Sequence, residues 1–578
     1  MTTVRVQPDV PAVGRQFDYA VPDRWADGMR VGSRVRIRLH NRPVGGWVTA
    51  VDPAPPAGME LQAVTGYSGL GPPPSVMDAA GWAAWRWAMP VATLLRAASP
   101  DRNVWDLPAV PVLLPGPPAR PVSAGARTPG AMVHRLGPAT DPLPVVLDVI
   151  ETATGGSVVV LVPNVGWADR LADRLRRRGM AVAGSWADAA AGWPVVVGSR
   201  ATAWAPVPRL AAAVVLDAHD EAYRDRYDAV EVMVHRAAAD GARCLLVSAC
   251  PTAVQVHRFP VTVDPGERAG WPAVSVVDRR AADPRTGLLS EELVRLADRL
   301  AGGGDGGGGS ARGPLVCVLN RTGRAKLLAC AACGELARCH TCGRPVEQVG
   351  DRLVCHGCGA ERPVVCAACG ATRLKVLRPG VSTIRDQLEA LLGLAVGEVA
   401  GPSASGPAAV VPDTPVLVGT EAVLHRVRRA SAVVLLDFDQ HLLAPRFTAA
   451  EDALALLARA GRLVGGRSQP GAGPVLVQTR LPDHPVLAAA VAGDPAKLDE
   501  LELRRDLALP PFGALATLSG DATATYGEAL AASGPAAADL GDGRWLVRAP
   551  DHRTLCDALR DTPRPAGRLR VTVDPTDV

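Results

Sequence analysis

The chain has 578 residues, enough for several domains, and its hydrophobic content of 48% suits a protein that buries real cores. No apolar run reaches the length needed to span a bilayer. Net charge is only +4, which excludes a broadly basic nucleic-acid coat, and the excess is local: residues 1–50 carry eight Arg against four Asp. That basic module is the footprint a DNA binder presents, and a solvated basic face without a partner fits the same charge. The N-terminus shows no apolar stretch like a signal peptide, so a cytoplasmic location with reduced thiols is expected.

In chain order, Arg34-Val-Arg-Ile-Arg-Leu39 alternates with period two. A strand there puts three guanidinium groups on one face and Val35, Ile37 and Leu39 on the other, with turns expected at Gly32 and at Gly45-Gly46. Residues 76–98 read as helical, with Trp82, Trp85, Leu94 and Leu95 as a core stripe. The Pro/Gly-rich stretch 105–130 reads as a linker after an N-terminal domain over 1–104.

Beyond it, β-branched runs begin at Ser157, Pro194, Ala213 and Cys244, with helical segments such as Trp167 to Arg178 between them. A second set begins at Pro314, Thr414, Ala432 and Pro474. Fully apolar strands alternating with helices predict parallel sheets covered on both faces, hence two α/β lobes over 131–275 and over 276–327 plus 373–500. Gly302–Gly309 reads as a flexible low-complexity loop, and 501–578 as a small C-terminal α/β domain.

Four knuckles of one pattern interrupt the second lobe over 328–372: Cys330-Ala-Ala-Cys333-Gly, Cys339-His-Thr-Cys342-Gly, Cys355-His-Gly-Cys358-Gly and Cys366-Ala-Ala-Cys369-Gly. Two residues between thiolates let both sulfurs reach one metal, and the following Gly permits the positive φ of such a turn. Eight thiolates suit two closed tetrahedral zinc sites, two ions per chain, of structural and not catalytic type. Iron fits the same ligands. His340 and His356 read as exposed loop residues. Cys244, Cys250, Cys317 and Cys556 read as core residues.

Two α/β lobes with this block inserted after Leu319-Asn-Arg-Thr-Gly323 resemble the primosomal replication restart (PriA) family of DNA helicases. Phe17-Asp18-Tyr19, Leu161-Val-Pro163, Val197-Gly-Ser-Arg200 with Ala205-Pro206, Pro510-Pro-Phe512 and Val573-Asp-Pro575 match further segments in the family's order. The resemblance implies that Cys330, Cys333, Cys366 and Cys369 share one zinc and Cys339, Cys342, Cys355 and Cys358 the other. It also implies that Phe17, Asp18 and Tyr19 hold the 3′ end of a DNA strand. An aspartate can accept a hydrogen bond from a 3′ hydroxyl, and an aromatic can stack on the terminal base.

The departures from the family concern ATP. Where the family has a Gly-Lys-Thr phosphate loop, this chain has Gly137-Pro-Ala-Thr-Asp-Pro-Leu143, and two of those residues lack an N–H. None of the three lysines, Lys326, Lys375 and Lys497, follows Gly or precedes Ser/Thr. The magnesium-binding run has become Asp217-Ala-His-Asp220, with Ala218 at the Glu position. The second lobe's motifs have become Gly419–Val427 and an irregular arginine segment, Arg459–Arg467. The winged-helix domain of the family is missing from the 105–130 interval.

A degenerate family member without catalytic residues is therefore expected, a pseudo-helicase without ATPase activity. It is expected to bind abandoned or stalled forks and to promote reloading of the replicative helicase, in a nucleoid-associated setting. The implied partners are forked DNA, primosome proteins, the helicase-loading machinery and single-stranded DNA-binding protein, with no membrane. An ATP-dependent 3′–5′ helicase with an atypical ATP site and a zinc-ribbon protein adaptor are the alternatives.

Overall fold

The computed structural model describes residues 2–54, 60–111, 129–282, 287–302, 313–319, 328–355, 358–376, 381–399, 411–541 and 543–576. The interior of the linker, Gly303–Gly309, the Asn320–Gly323 turn, Lys326 and His356 lie outside them.

The N-terminal sheet is built from β1 (Thr3–Pro8), β2 (Phe17–Ala20), β3 (Arg34–Leu39), β4 (Arg42–Val51) and β5 (Gly66–Tyr67), in the order β2-β1-β4-β3-β5. The alternation of β3 holds: Val35 and Ile37 are buried, and Arg36 and Arg38 face solvent. Arg34 is only half-exposed and donates to the Pro100 carbonyl. The turn expected at Gly45-Gly46 lies elsewhere. His40 and Asn41 take positive φ (47° and 62°) and form the two-residue connection, and both glycines sit inside β4. Gly46 is needed there because a Cβ would lie 2.5 Å from Val6 Cγ1.

The helices Pro74–Arg86 and Val91–Ala98 follow. Leu94 and Leu95 are buried as expected, but Trp82 and Trp85 are only half-buried, and the core indole is Trp87. Trp82 stacks on His235 of the first lobe, with ring centroids 3.9 Å apart, and Trp85 donates to Asp557 of the C-terminal domain. These indoles join domains. Trp87, Leu94 and Leu95 share one apolar cluster with Val159, Val215 and Leu246 of the first lobe and Leu518, Tyr526 and Leu555 of the C-terminal domain. Arg86 adds a partly buried pair with Asp574 at 2.6 Å, which His552 also contacts at 2.7 Å.

The first lobe is a parallel sheet of β6 (Gly130–Arg135), β7 (Ser157–Leu161), β8 (Val195–Gly198), β9 (Leu210–Leu216), β10 (Arg243–Ser248) and β11 (Val261–Val263), ordered β11-β6-β10-β9-β7-β8. Two apolar clusters cover its faces. Every residue of β7 is buried, as a two-sided parallel strand requires. The second lobe opens with β12 (Ala273–Asp278) and β13 (Leu315–Val318). The cysteine-bearing insert follows with β14 (Leu328–Cys330), β15 (Glu347–Val349), β16 (Arg352–Val354), β17 (Glu361–Pro363) and β18 (Leu374–Val376).

The lobe then resumes with β19 (Val396–Val399), β20 (Val416–Gly419), β21 (Ala432–Leu435) and β22 (Pro474–Thr479), giving the parallel order β12-β22-β21-β13-β20-β19. Arg480, just past β22, tethers the insert by donating to the Gly334 carbonyl at 2.6 Å. The C-terminal domain is an antiparallel sheet of β23 (Ala514–Ser519), β24 (Ala536–Gly541), β25 (Arg544–Ala549) and β26 (Arg570–Val573), with two helices. Cys244, Cys250, Cys317 and Cys556 are all buried. Among the described residues no helix is long and apolar enough to cross a membrane.

Candidate functional site

The cleft between the lobes is a cavity of about 520 Å³. On its first-lobe wall lies the loop Gly137–Leu143, where a phosphate cradle would need free N–H groups. Pro138 and Pro142 have none. The remaining amides are largely spent inside the protein: Ala139 donates to the Gly270 carbonyl, Thr140 to the Gly137 carbonyl, and Leu143 to Asp141 Oδ1.

Asp217 follows β9 in a left-handed conformation, φ 51°, and lines the cleft. The second lobe answers with the helix Ala449–Val464, whose Arg459 and Arg462 are three residues apart and share one face. Arg462 makes a fork to Asp217, with Nη2 at 2.7 Å from Oδ1 and Nη1 on Oδ2. It also donates from Nε to the Pro138 carbonyl at 3.1 Å and lies 4.4 Å over the Trp167 ring. Arg459 pairs with Asp220 at 2.9 Å. Burial alone would raise the Asp220 carboxyl, but the Arg459 charge and the Ala222 amide bring it down to about 2. Neutral His219 completes the strip, buried and hydrogen-bonded to Ser248 at 2.8 Å. Asp217 and Asp220 are thus both paired with arginines of the opposite lobe.

In the N-terminal domain the register pairs Arg5 of β1 with Asp18 of β2. Arg5 Nε and Nη2 grip the two Asp18 oxygens at 2.8 and 3.0 Å. Tyr19 points into the sheet's core, and its hydroxyl donates to the Arg38 carbonyl at 3.1 Å. Phe17 is half-buried, with Arg15 5.8 Å over its ring, and is the aromatic of the three that is open to a base.

In the insert the structure gathers Cys330, Cys333, Cys366 and Cys369 into one cluster and Cys339, Cys342, Cys355 and Cys358 into another. Sulfurs of paired knuckles approach to 3.4–3.6 Å. A tetrahedral zinc thiolate site has sulfurs about 3.8 Å apart, so the donors fit the ion. Each knuckle closes as its pattern demands: Gly334, Gly343, Gly359 and Gly370 take φ of 70–75° and donate back to the first Cys carbonyl. His340 is exposed.

Comparison with known proteins bears on the whole frame. Residues 5–100 match the domain family described as "3'DNA-binding domain (3'BD)". The chain is 28% identical over 596 residues to the "Probable replication restart protein PriA" of Mycobacterium tuberculosis, covering 89% of this chain and 86% of that protein. It is 27% identical to "Replication restart protein PriA" of Haemophilus influenzae, over 74% of this chain and 66% of the relative. Over most of its length the chain is similar to PriA proteins.

The match to PriA of Bacillus subtilis is 26% identical and covers 64% of this chain and 50% of that relative, so the chain spans between half and two thirds of the length of several relatives. Solved structures superpose loosely. E. coli DExH-box NTPase HrpB aligns at TM-score 0.29 and 13% identity over 61% of this chain and 39% of its own. S. cerevisiae Dbp5 bound to RNA and ADP BeF3 aligns at 0.36 and 11% over 66% and 88%.

Against the PriA frame, sequence reasoning missed the cross-cleft pairs and the Arg5 fork. The segment Arg459–Arg467 reads as a scrambled motif. Its two arginines at helical spacing were the available sign that both face one surface.

Proposed function

We propose that this PriA-type chain works in replication restart as a DNA-bound scaffold without a motor. It binds abandoned or stalled forks, holds the 3′ end of a strand on its N-terminal domain, and promotes primosome assembly and reloading of the replicative helicase. Forked DNA, primosome and helicase-loading proteins and single-stranded DNA-binding protein are the partners this role requires.

The observation that carries the reading is the filled cleft. A motor of two lobes must bind nucleotide phosphates on one lobe and close the other over them. Here the amides of Ala139, Thr140 and Leu143 are spent inside the protein, Asp217 is held by Arg462 and Asp220 by Arg459. Lobe closure is supplied by side-chain pairs that need no nucleotide. Magnesium has no free carboxylate among Asp217 and Asp220 without breaking a pair.

At the DNA end, the Arg5 fork takes one lone pair on each Asp18 oxygen and leaves one on each for a 3′ hydroxyl. A terminal phosphate offers no hydroxyl proton for that bond. Two zinc ions in the thiolate clusters would cross-link the insert, and their role is structural because four thiolates leave no open coordination position.

The test measures fork binding and DNA-stimulated ATP turnover in the same preparation. The expected result is fork binding with no turnover above background. Turnover at an ordinary helicase rate would sink the motorless reading, and loss of fork binding would sink the DNA role.

A further inference from the structure

The two thiolate clusters of the insert repeat one division of roles. In every knuckle the first cysteine is buried (Cys330, Cys339, Cys355 and Cys366) and the second is open to solvent (Cys333, Cys342, Cys358 and Cys369). The close approaches join unlike members. Cys330 Sγ lies 3.5 Å from Cys369 Sγ, Cys366 3.6 Å from Cys333, Cys339 3.5 Å from Cys358 and Cys355 3.4 Å from Cys342. Each pair thus sets an accessible sulfur of one knuckle against a shielded sulfur of another. The remaining cysteines differ: Cys244, Cys250, Cys317 and Cys556 are buried, and burial pushes the thiols of Cys244 and Cys317 up to about 12. Cys339 and Cys355 also belong to an apolar cluster with Leu328, Val346 and Leu353, so part of the insert's packing does not depend on an ion. Cys333 precedes Gly334, whose carbonyl accepts from Arg480 of the second lobe.

We infer that the insert is a peroxide-responsive site, in which the four cross-knuckle pairs are oxidised to disulfides and the zinc ions leave. The exposed thiolate of a pair attacks hydrogen peroxide, the O–O bond breaks, the sulfur becomes a sulfenic acid and hydroxide departs. The shielded thiolate of the same pair then attacks that sulfur, the S–S bond forms and a second hydroxide departs. Each pair gives up two electrons to one peroxide, and both hydroxides take protons from solvent to become water. Two such pairs account for all four thiolates of a cluster, so the ion loses every ligand and passes into solution. Any sulfur that solvent oxidises first has a buried partner within 3.6 Å, which favours the disulfide over further oxidation. The Cys333 pair borders the knuckle at which Arg480 holds the insert to the second lobe, so oxidation acts on that tether. None of these steps uses DNA or ATP, and the inference goes beyond the proposed function. It rests on the clusters holding zinc, which metal analysis before oxidation checks separately.

The zinc-loaded full chain is treated with hydrogen peroxide, released zinc is followed with a colorimetric chelator, and disulfides are mapped by peptide mass spectrometry. Zinc release should accompany consumption of about two peroxides per ion. The mapped disulfides should be Cys330–Cys369, Cys333–Cys366, Cys339–Cys358 and Cys342–Cys355, with Cys244 and Cys317 recovered as thiols. Trypsin cleaves after Arg338 and Arg352, so these disulfides hold three peptides together, whereas disulfides within knuckles leave the peptides separate. Dithiothreitol with added zinc should restore the metal content. The wild-type chain is the only reagent, so no variant has to fold. Zinc that stays bound under peroxide overturns the inference. So do disulfides within knuckles such as Cys330–Cys333, oxidation to sulfonic acid without disulfides, or equal oxidation of Cys244 and Cys317, which would report general unfolding. Zinc release and disulfide mapping are read without ATP turnover or fork affinity, so failure here and failure of the proposed function are separately visible.

Discussion

Arg462 of the second lobe and Asp217 of the first meet across the cleft, with Nη2 2.7 Å from Oδ1, and the same guanidinium reaches the Pro138 carbonyl. One side chain therefore holds both Asp217 and the loop Gly137–Leu143. Three residues earlier on the same helix face, Arg459 does likewise for Asp220.

The pairs should hold the lobes closed without nucleotide. Arg459 and Asp220 are both largely buried, so Arg459→Met leaves an unpaired charge and is expected to destabilise the chain by about 3 kcal/mol. Arg462 is a third exposed, and Arg462→Met should lose only about 1 kcal/mol. Small-angle scattering of the double variant Arg459→Met/Arg462→Met should show a larger radius of gyration. An unchanged radius would mean that the pairs do not govern closure.

The Asp220 pair carries a pH signature. Its carboxyl is held at about 2, below the ordinary 3.8, so its stabilisation is present above pH 4 and disappears as pH falls through 2. The gap corresponds to about 2 kcal/mol. The stability difference between wild type and Asp220→Asn, measured by denaturant unfolding, should be largest near pH 5 and shrink toward pH 2. A difference that does not vary over this range would contradict the pairing.

Metal analysis should return two zinc ions per chain. Cys333→Ser should lower the content toward one, because its cluster is separate from the Cys339 cluster. Chelation should expose the 328–376 segment to protease while the lobes, whose cores lie elsewhere, stay folded.

A fork with a 3′ hydroxyl should bind better than the same fork ending in a 3′ phosphate. Asp18→Ala should erase that preference. Arg5→Ala should weaken it about tenfold, since the carboxylate is then no longer held in place by its cross-strand partner. Equal affinity for both ends in wild type would remove Asp18 from the role.

Much of the architecture was legible because it is written in local chemistry. The alternation of Arg34–Leu39 and the fully apolar run from Ser157 translate directly into buried and exposed faces. The cysteine knuckles are complete within five residues each. Trp82 and Trp85 were misread because helical spacing says which residues share a face and nothing about what covers it. Here the covers are His235 of the first lobe and Asp557 of the C-terminal domain. The turn at His40-Asn41 was missed because the neighbouring glycines offered a stronger sign.

By itself, the sequence determined the two lobes and the two sets of four cysteines, because each depends on residue types at short fixed spacing. Only the tertiary structure set two arginines of the second lobe against Asp217 and Asp220. Asp217 and Arg462 are 245 residues apart, and so are their roles in any reading of local pattern. They meet because two separately folded sheets present the end of one strand to the face of one helix. Tertiary packing alone likewise set Asp18 against Arg5.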